Sequence, residues 1–135
     1  MRSLIPFRIA ARLLLVLFGL AFLFQVAVLA GLIPTEMVWG GRLRNAEERT
    51  VGALVSGSVL LFAMALVRVR MGKTSKRLQG LGRWGMWVMA ALFALNTVGN
   101  VFALDAREAL IFTPVTLVLA LLCWRLAVEK RPIAR

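Results

Sequence analysis

The chain has 135 residues, of which 61% are hydrophobic, with a mean hydropathy of +0.85 and a formal net charge of +11. The length fits one domain, and the apolar share exceeds that of ordinary soluble domains, so the composition belongs to the membrane class. With no His and a single Cys, Cys123, an intrachain disulfide and a Cys/His zinc site are excluded, and the commonest general acid–base side chain is missing.

In chain order, the first expected span is 13–33, free of charge and preceded by Arg2, Arg8 and Arg12. A secretory signal ending near Val28-Leu29-Ala30 is the rival reading. The apolar stretch is longer than a signal core and further spans follow it, which favours a retained helix. Gly31 and Pro34 terminate it. The loop that follows carries Glu36, Trp39, Gly40, Gly41 and Arg42. Asn45 then fits an N-cap, with Glu48 at the third helical position, so a second helix is expected to start near Ala46 and to cross over 51–67. Gly52, Ser56 and Ala63 share one side of it, with Ala53 and Gly57 beside them as a pair of small residues that admits a close neighbour.

Residues 68–83 read as a basic loop with six cations, no acid, and Gly72, Gly80 and Gly82 as punctuation. The third span, 84–104, opens with Trp84 and Trp87, as an interfacial aromatic belt would. Asp105 and Glu108 repeat the capping pattern, so a short turn leads into the fourth span, 109–128, where Pro114 removes the donor for the Leu110 carbonyl. The expected fold is all-α: a polytopic four-helix membrane bundle forming one domain over 1–135.

Charge orients it. The N-terminus, the second connection and the C-terminus hold 13 of the 17 Lys and Arg residues. The other side holds five of the six acids, so the two sides carry +12 and −1. The bias places both termini in the cytoplasm and accounts for the basic excess by contact with anionic lipid heads, leaving nucleic acid no role.

At 1.5 Å per residue, Gln25 and Asn96 fall about 12 Å below the outer boundary, and Asn100 and Thr113 about 6 Å. Ser56, Ser58 and Thr116 fall about 8–10 Å down. Asn96 and Asn100 are four apart on one face and are expected to point into the bundle. This outer polar set (Gln25, Ser56, Asn96, Thr97, Asn100, Thr113 and Thr116) has two readings. The leading one is hydrogen bonding between helices, as amides and hydroxyls commonly do in membrane bundles. The other is a ligand-holding pocket, with Glu36, Trp39 and Arg42 as a lid. Glu47, Glu48, Asp105 and Glu108 fit helix capping better than catalysis. Ser56 and Ser58 lack a base to make a nucleophile, and Cys123 reads as inert packing.

The set Gly31-x-x-Pro34-x-Glu36-x-x-Trp39-Gly40-Gly41-Arg42, Leu95-Asn96-Thr97-x-Gly99-Asn100, Glu108 and Phe112-Thr113-Pro114 resembles a group of small four-span bacterial membrane proteins of uncharacterised function. The resemblance covers nearly the whole chain and implies a multi-pass protein of the bacterial plasma (inner) membrane. It carries over no catalytic residue and no cofactor. Size and span count also suit small quinone-linked or redox-accessory membrane proteins such as the DoxX-like group, a likeness of dimensions and not of motifs. The expected function is non-enzymatic, as an interaction or accessory protein with a membrane-protein partner or a second copy. The alternative is small-molecule or lipid binding or transport through the outer polar pocket. A third class, an enzyme using Glu36, Asp105 or Glu108 at the membrane surface, lacks a constellation of acid, base and nucleophile.

Overall fold

The structure, a computed structural model, describes residues 5–32, 46–72, 75–102 and 106–129. The expected lid of Glu36, Trp39 and Arg42, and the expected caps Asn45 and Asp105, lie outside the described residues. Four helices follow one another: α1 (Phe7–Leu29), α2 (Ala46–Met71), α3 (Lys76–Val101) and α4 (Ala106–Val128). Each is long and apolar enough to cross a membrane, and the chain is a multi-pass membrane four-helix bundle. α1 packs on α2 and α4, and α3 on α4 and α2, which closes a ring. One diagonal pair, α1 and α3, meets through Phe18 and Phe93, stacked with ring centroids 5.6 Å apart.

Local chemistry sets several helix ends. At the end of α1, Gly31 takes a φ of 81°, a left-handed conformation that costs glycine little. Gly31 N–H then donates to the Val28 carbonyl and Leu32 N–H to the Ala27 carbonyl, the paired bonds of a Schellman cap. α2 does begin at Ala46 and α4 at Ala106.

Between α2 and α3 the expectation of a basic loop over 68–83 is corrected. Arg68 and Arg70 are the last turn of α2, and Lys76, Arg77 and Arg83 belong to α3. The Ser75 hydroxyl caps α3 by accepting from Leu78 N–H at 3.2 Å. Arginine and lysine are good helix formers, so a basic run is no bar to helix when a cap lies within it.

With lipid outside, no hydrophobic force drives helix against helix, so close packing must do it. The buried set includes Ala10, Ala11, Ala53, Ala63, Ala120 and Ala127, small side chains that let backbones approach. As the sequence suggests, Ala53 and Gly57 are buried, and a Cβ on Gly57 would sit 3.6 Å from the Phe22 ring of α1. Larger residues, among them Leu14, Phe18, Val67, Met86 and Leu126, fill the centre. The outward surfaces are apolar too: Ile9, Val16, Leu20 and Leu23 on α1, Val55 and Leu61 on α2, Leu95 and Val98 on α3, and Leu117 and Leu121 on α4 are exposed. That surface suits hydrocarbon. Trp84, Trp87 and Trp124 are exposed at the end where α3 begins and α4 ends, where amphipathic rings mark a membrane–water boundary.

Candidate functional site

Polar side chains gather at two levels of the bundle. Toward the ends of α1 and α3 lies the set singled out in the sequence. The structure joins three of its members. Thr116 Oγ1 of α4 lies 3.0 Å from Thr97 Oγ1 and 3.2 Å from Asn100 Nδ2, both of α3. It also reaches its own helix, at 2.8 Å from the Phe112 carbonyl and 3.2 Å from that of Thr113. A hydroxyl has one proton and two acceptor positions. Donation to Phe112, with acceptance from Thr97 and Asn100, saturates it. Thr97 has one proton for two acceptors, Thr116 and the Phe93 carbonyl at 2.8 Å, so those two compete.

The remaining members are placed differently. Gln25 and Ser56 are half-buried, on α1 and α2. Thr113 is half-buried with its hydroxyl fully enclosed, and no group among the described residues pairs with it. Asn96 is exposed on the outside of α3. The expectation that Asn96 and Asn100 both face inward therefore needs correcting. Four residues advance a helix about 40° past a full turn, and the α3–α4 seam takes only Asn100. Ser58 is exposed and donates to the Leu54 carbonyl one turn back at 2.8 Å, which satisfies the hydroxyl locally.

The second polar level was not singled out in the sequence and is the more heavily buried. Arg70, at the end of α2, is 0% exposed. One of its terminal nitrogens donates to Gln79 Oε1 of α3 at 2.8 Å. The other donates to the Leu126 carbonyl of α4 at 2.8 Å and to the Glu129 carbonyl just beyond it. Arg83 Nε of α3 donates to the Ala127 carbonyl at 2.8 Å. Gln79 Nε2 turns back to the Val69 and Gly72 carbonyls, at 2.7 and 3.1 Å. Arg125, 4% exposed, donates from Nε to the Ile5 carbonyl at 2.7 Å and lies 3.5 Å from the Glu129 carboxylate. The Phe7 ring lies under both buried guanidiniums, 5.4 Å from Arg70 Cζ and 6.0 Å from Arg125 Cζ, within cation–π range.

These groups form a clasp. α2 and α4 both end here, each with carbonyls that its own helix leaves unpaired and with the negative end of its dipole. Gln79 closes α2; Arg70 and Arg83 close α4. All four helix ends are tied, and the guanidiniums supply the positive charge that those dipole ends favour. Close approach makes it possible. A Cβ on Gly82 would lie 3.2 Å from Arg70 Cδ, and one on Gly85 would lie 2.7 Å from Leu66 Cδ1. The signal in the sequence was there: Gly82 and Gly85, three apart, face Leu66 and Arg70, four apart.

Comparison with family models, with curated proteins and with solved structures finds no match.

Thr97, Asn100, Thr113 and Thr116 carry no titratable group near neutral pH, and the described clasp bonds of the arginines run to carbonyls, Gln79 and Glu129. What both do is hold helices together. Thr116→Val keeps the volume, removes the shared oxygen and leaves Thr97 and Asn100 without their partner across the seam. A loss of about 1–2 kcal/mol is expected, measured as unfolding free energy in detergent, with Ser58→Ala near zero as the control.

Proposed function

We propose that the chain is a non-enzymatic accessory or interaction protein of the bacterial plasma membrane, with both termini in the cytoplasm. The observation that carries the reading is the use made of the polar groups. Thr97, Asn100 and Thr116 bond across the α3–α4 seam, and Arg70 and Arg83 bond to the end of α4. These groups stabilise a scaffold. The resemblance to small four-span bacterial proteins supports the plasma-membrane placement.

Gentle extraction followed by native mass spectrometry tests it. A stoichiometric protein assembly is expected. A monomer that instead carries one defined small molecule in every copy would overturn the reading.

That second outcome corresponds to the alternative, small-molecule or lipid binding or transport through the outer polar pocket. One observation favours it: the enclosed Thr113 hydroxyl without a partner among the described residues, since such a group is costly unless something pairs with it.

The orientation rests on charge bias. Arg8, Arg12, Arg68, Lys76 and Arg77 are exposed at the clasp end, and Glu47 and Glu48 at the other. A thiol at Glu47 is expected to react with an impermeant reagent in intact cells, and one at Lys76 only after permeabilisation. The native chain is the blank, because Cys123 is buried. Labelling of the Lys76 site in intact cells would reverse the orientation.

A further inference from the structure

We propose that the outer face of α3 pairs with the same face of a second copy of this chain, through Asn96 and Gly99. The interaction reading above is thereby given a definite partner. With Trp84 at one membrane boundary, α3 runs on for 17 residues to Val101, about 26 Å and close to the thickness of a hydrocarbon core. Asn96 lies five residues before Val101, about 8 Å inside that end of the helix. Its side chain is nevertheless exposed on the bundle surface, and none of the hydrogen bonds described above includes it. Its neighbours on that surface are apolar, with Leu95 and Phe102 both 70% exposed. An amide facing hydrocarbon is unfavourable unless another polar group meets it.

The occupant follows from the donor and acceptor pattern. An Asn side chain carries one carbonyl and one NH2 group. Two such amides related by a twofold axis satisfy each other reciprocally, each carbonyl accepting from the other's NH2, and a twofold contact uses the same patch on both copies. Gly99 lies one turn further along the same side, and a Cβ built there meets nothing within 4 Å. The surface is open at that point, so a second backbone can come close, as small residues allow at membrane helix contacts. Leu95 and Phe102 flank the pair and would pack against their counterparts.

The test uses the full chain in lipid bilayers, labelled on an exposed residue away from α3. Dimerisation is followed by energy transfer as the protein-to-lipid ratio changes. A reversible dimer is expected for the native chain. Asn96→Leu should weaken it roughly tenfold or more, by loss of two reciprocal bonds. Gly99→Leu should weaken it comparably by holding the backbones apart. Its Cβ meets open space within the chain, so this variant keeps the fold even if Asn96→Leu does not. Leu20→Ala, on the exposed face of α1, should leave dimerisation unchanged. A native chain that stays monomeric at every ratio overturns the pairing, and so does a dimer that Gly99→Leu leaves intact. Either result leaves a different protein partner open, so failure here is distinct from failure of the interaction reading.

Discussion

Arg70→Ala is expected to lower the unfolding free energy by about 3 kcal/mol or more, measured by denaturant titration in mild detergent. Arg70 bonds α2 to both α3 and α4 at the clasp. Its removal leaves the Leu126 and Glu129 carbonyls and Gln79 Oε1 without that donor, in an enclosed region where each unpaired acceptor costs about 1–3 kcal/mol. It also removes the cation above Phe7. Arg70→Lys should recover little of the loss. An ammonium is a point charge on a narrower stem, whereas the planar guanidinium sends donors toward Gln79 and toward α4 at once. Arg68→Ala, two residues away but on the exposed side of α2, should change stability by no more than about 0.5 kcal/mol. Equal effects at positions 68 and 70 would show that the clasp contributes nothing beyond general charge.

The second large effect is expected at Gly85. A Cβ there would fall 2.7 and 2.8 Å from the two methyl carbons of Leu66. Alanine is accommodated only by moving Leu66, which is itself buried. Gly85→Leu forces α2 and α3 apart beside Arg70, and overpacking of this kind costs about 1–3 kcal/mol. Because the displacement occurs within a turn of the clasp, its effect should not add to that of Arg70→Ala; neighbouring sites couple. Leu66→Ala in the Gly85→Leu background should restore part of the loss by reopening the space. Gly80→Leu is the matched control, since a Cβ at Gly80 meets nothing within 4 Å.

The four spans were legible because each is a long apolar run with at most one charge, and that property depends on nothing distant in the chain. The termination of α1 at Gly31 was legible for a similar reason, since a glycine cap is local chemistry, and α2 and α4 begin at Ala46 and Ala106, where the sequence expects them. The clasp was not. Arg70 lies 56 residues from Leu126 and 59 from Glu129, and a reading that weighs local charge assigns such an arginine to water. The same bias put 68–83 in a loop, although Ser75 supplies a cap and Gly82 and Gly85 a packing surface. The Asn pair shows the opposite error. Spacing of four implies a shared environment, yet the α3–α4 seam takes Asn100 and leaves Asn96 on the surface. Thr97, Asn100 and Thr116, three of the seven polar residues that counting along the spans groups together, do bond to one another across the α3–α4 seam.

Whether the seam between α3 and α4 is packed protein or an open pocket is decided most directly at Thr113. Its hydroxyl is enclosed and has no partner among the described residues, so Thr113→Cys breaks no described side-chain hydrogen bond. It places a thiol beside Thr116, and the native Cys123 is buried on the same helix. The rate of modification by a small hydrophilic thiol reagent is measured in folded protein, with a thiol at the exposed Glu47 position as the fast reference. A packed seam predicts no modification until the protein is unfolded. Modification at a rate close to that of the Glu47 site would mean a water-filled cavity reaching Thr113, and would contradict the assignment of these residues to holding α3 against α4.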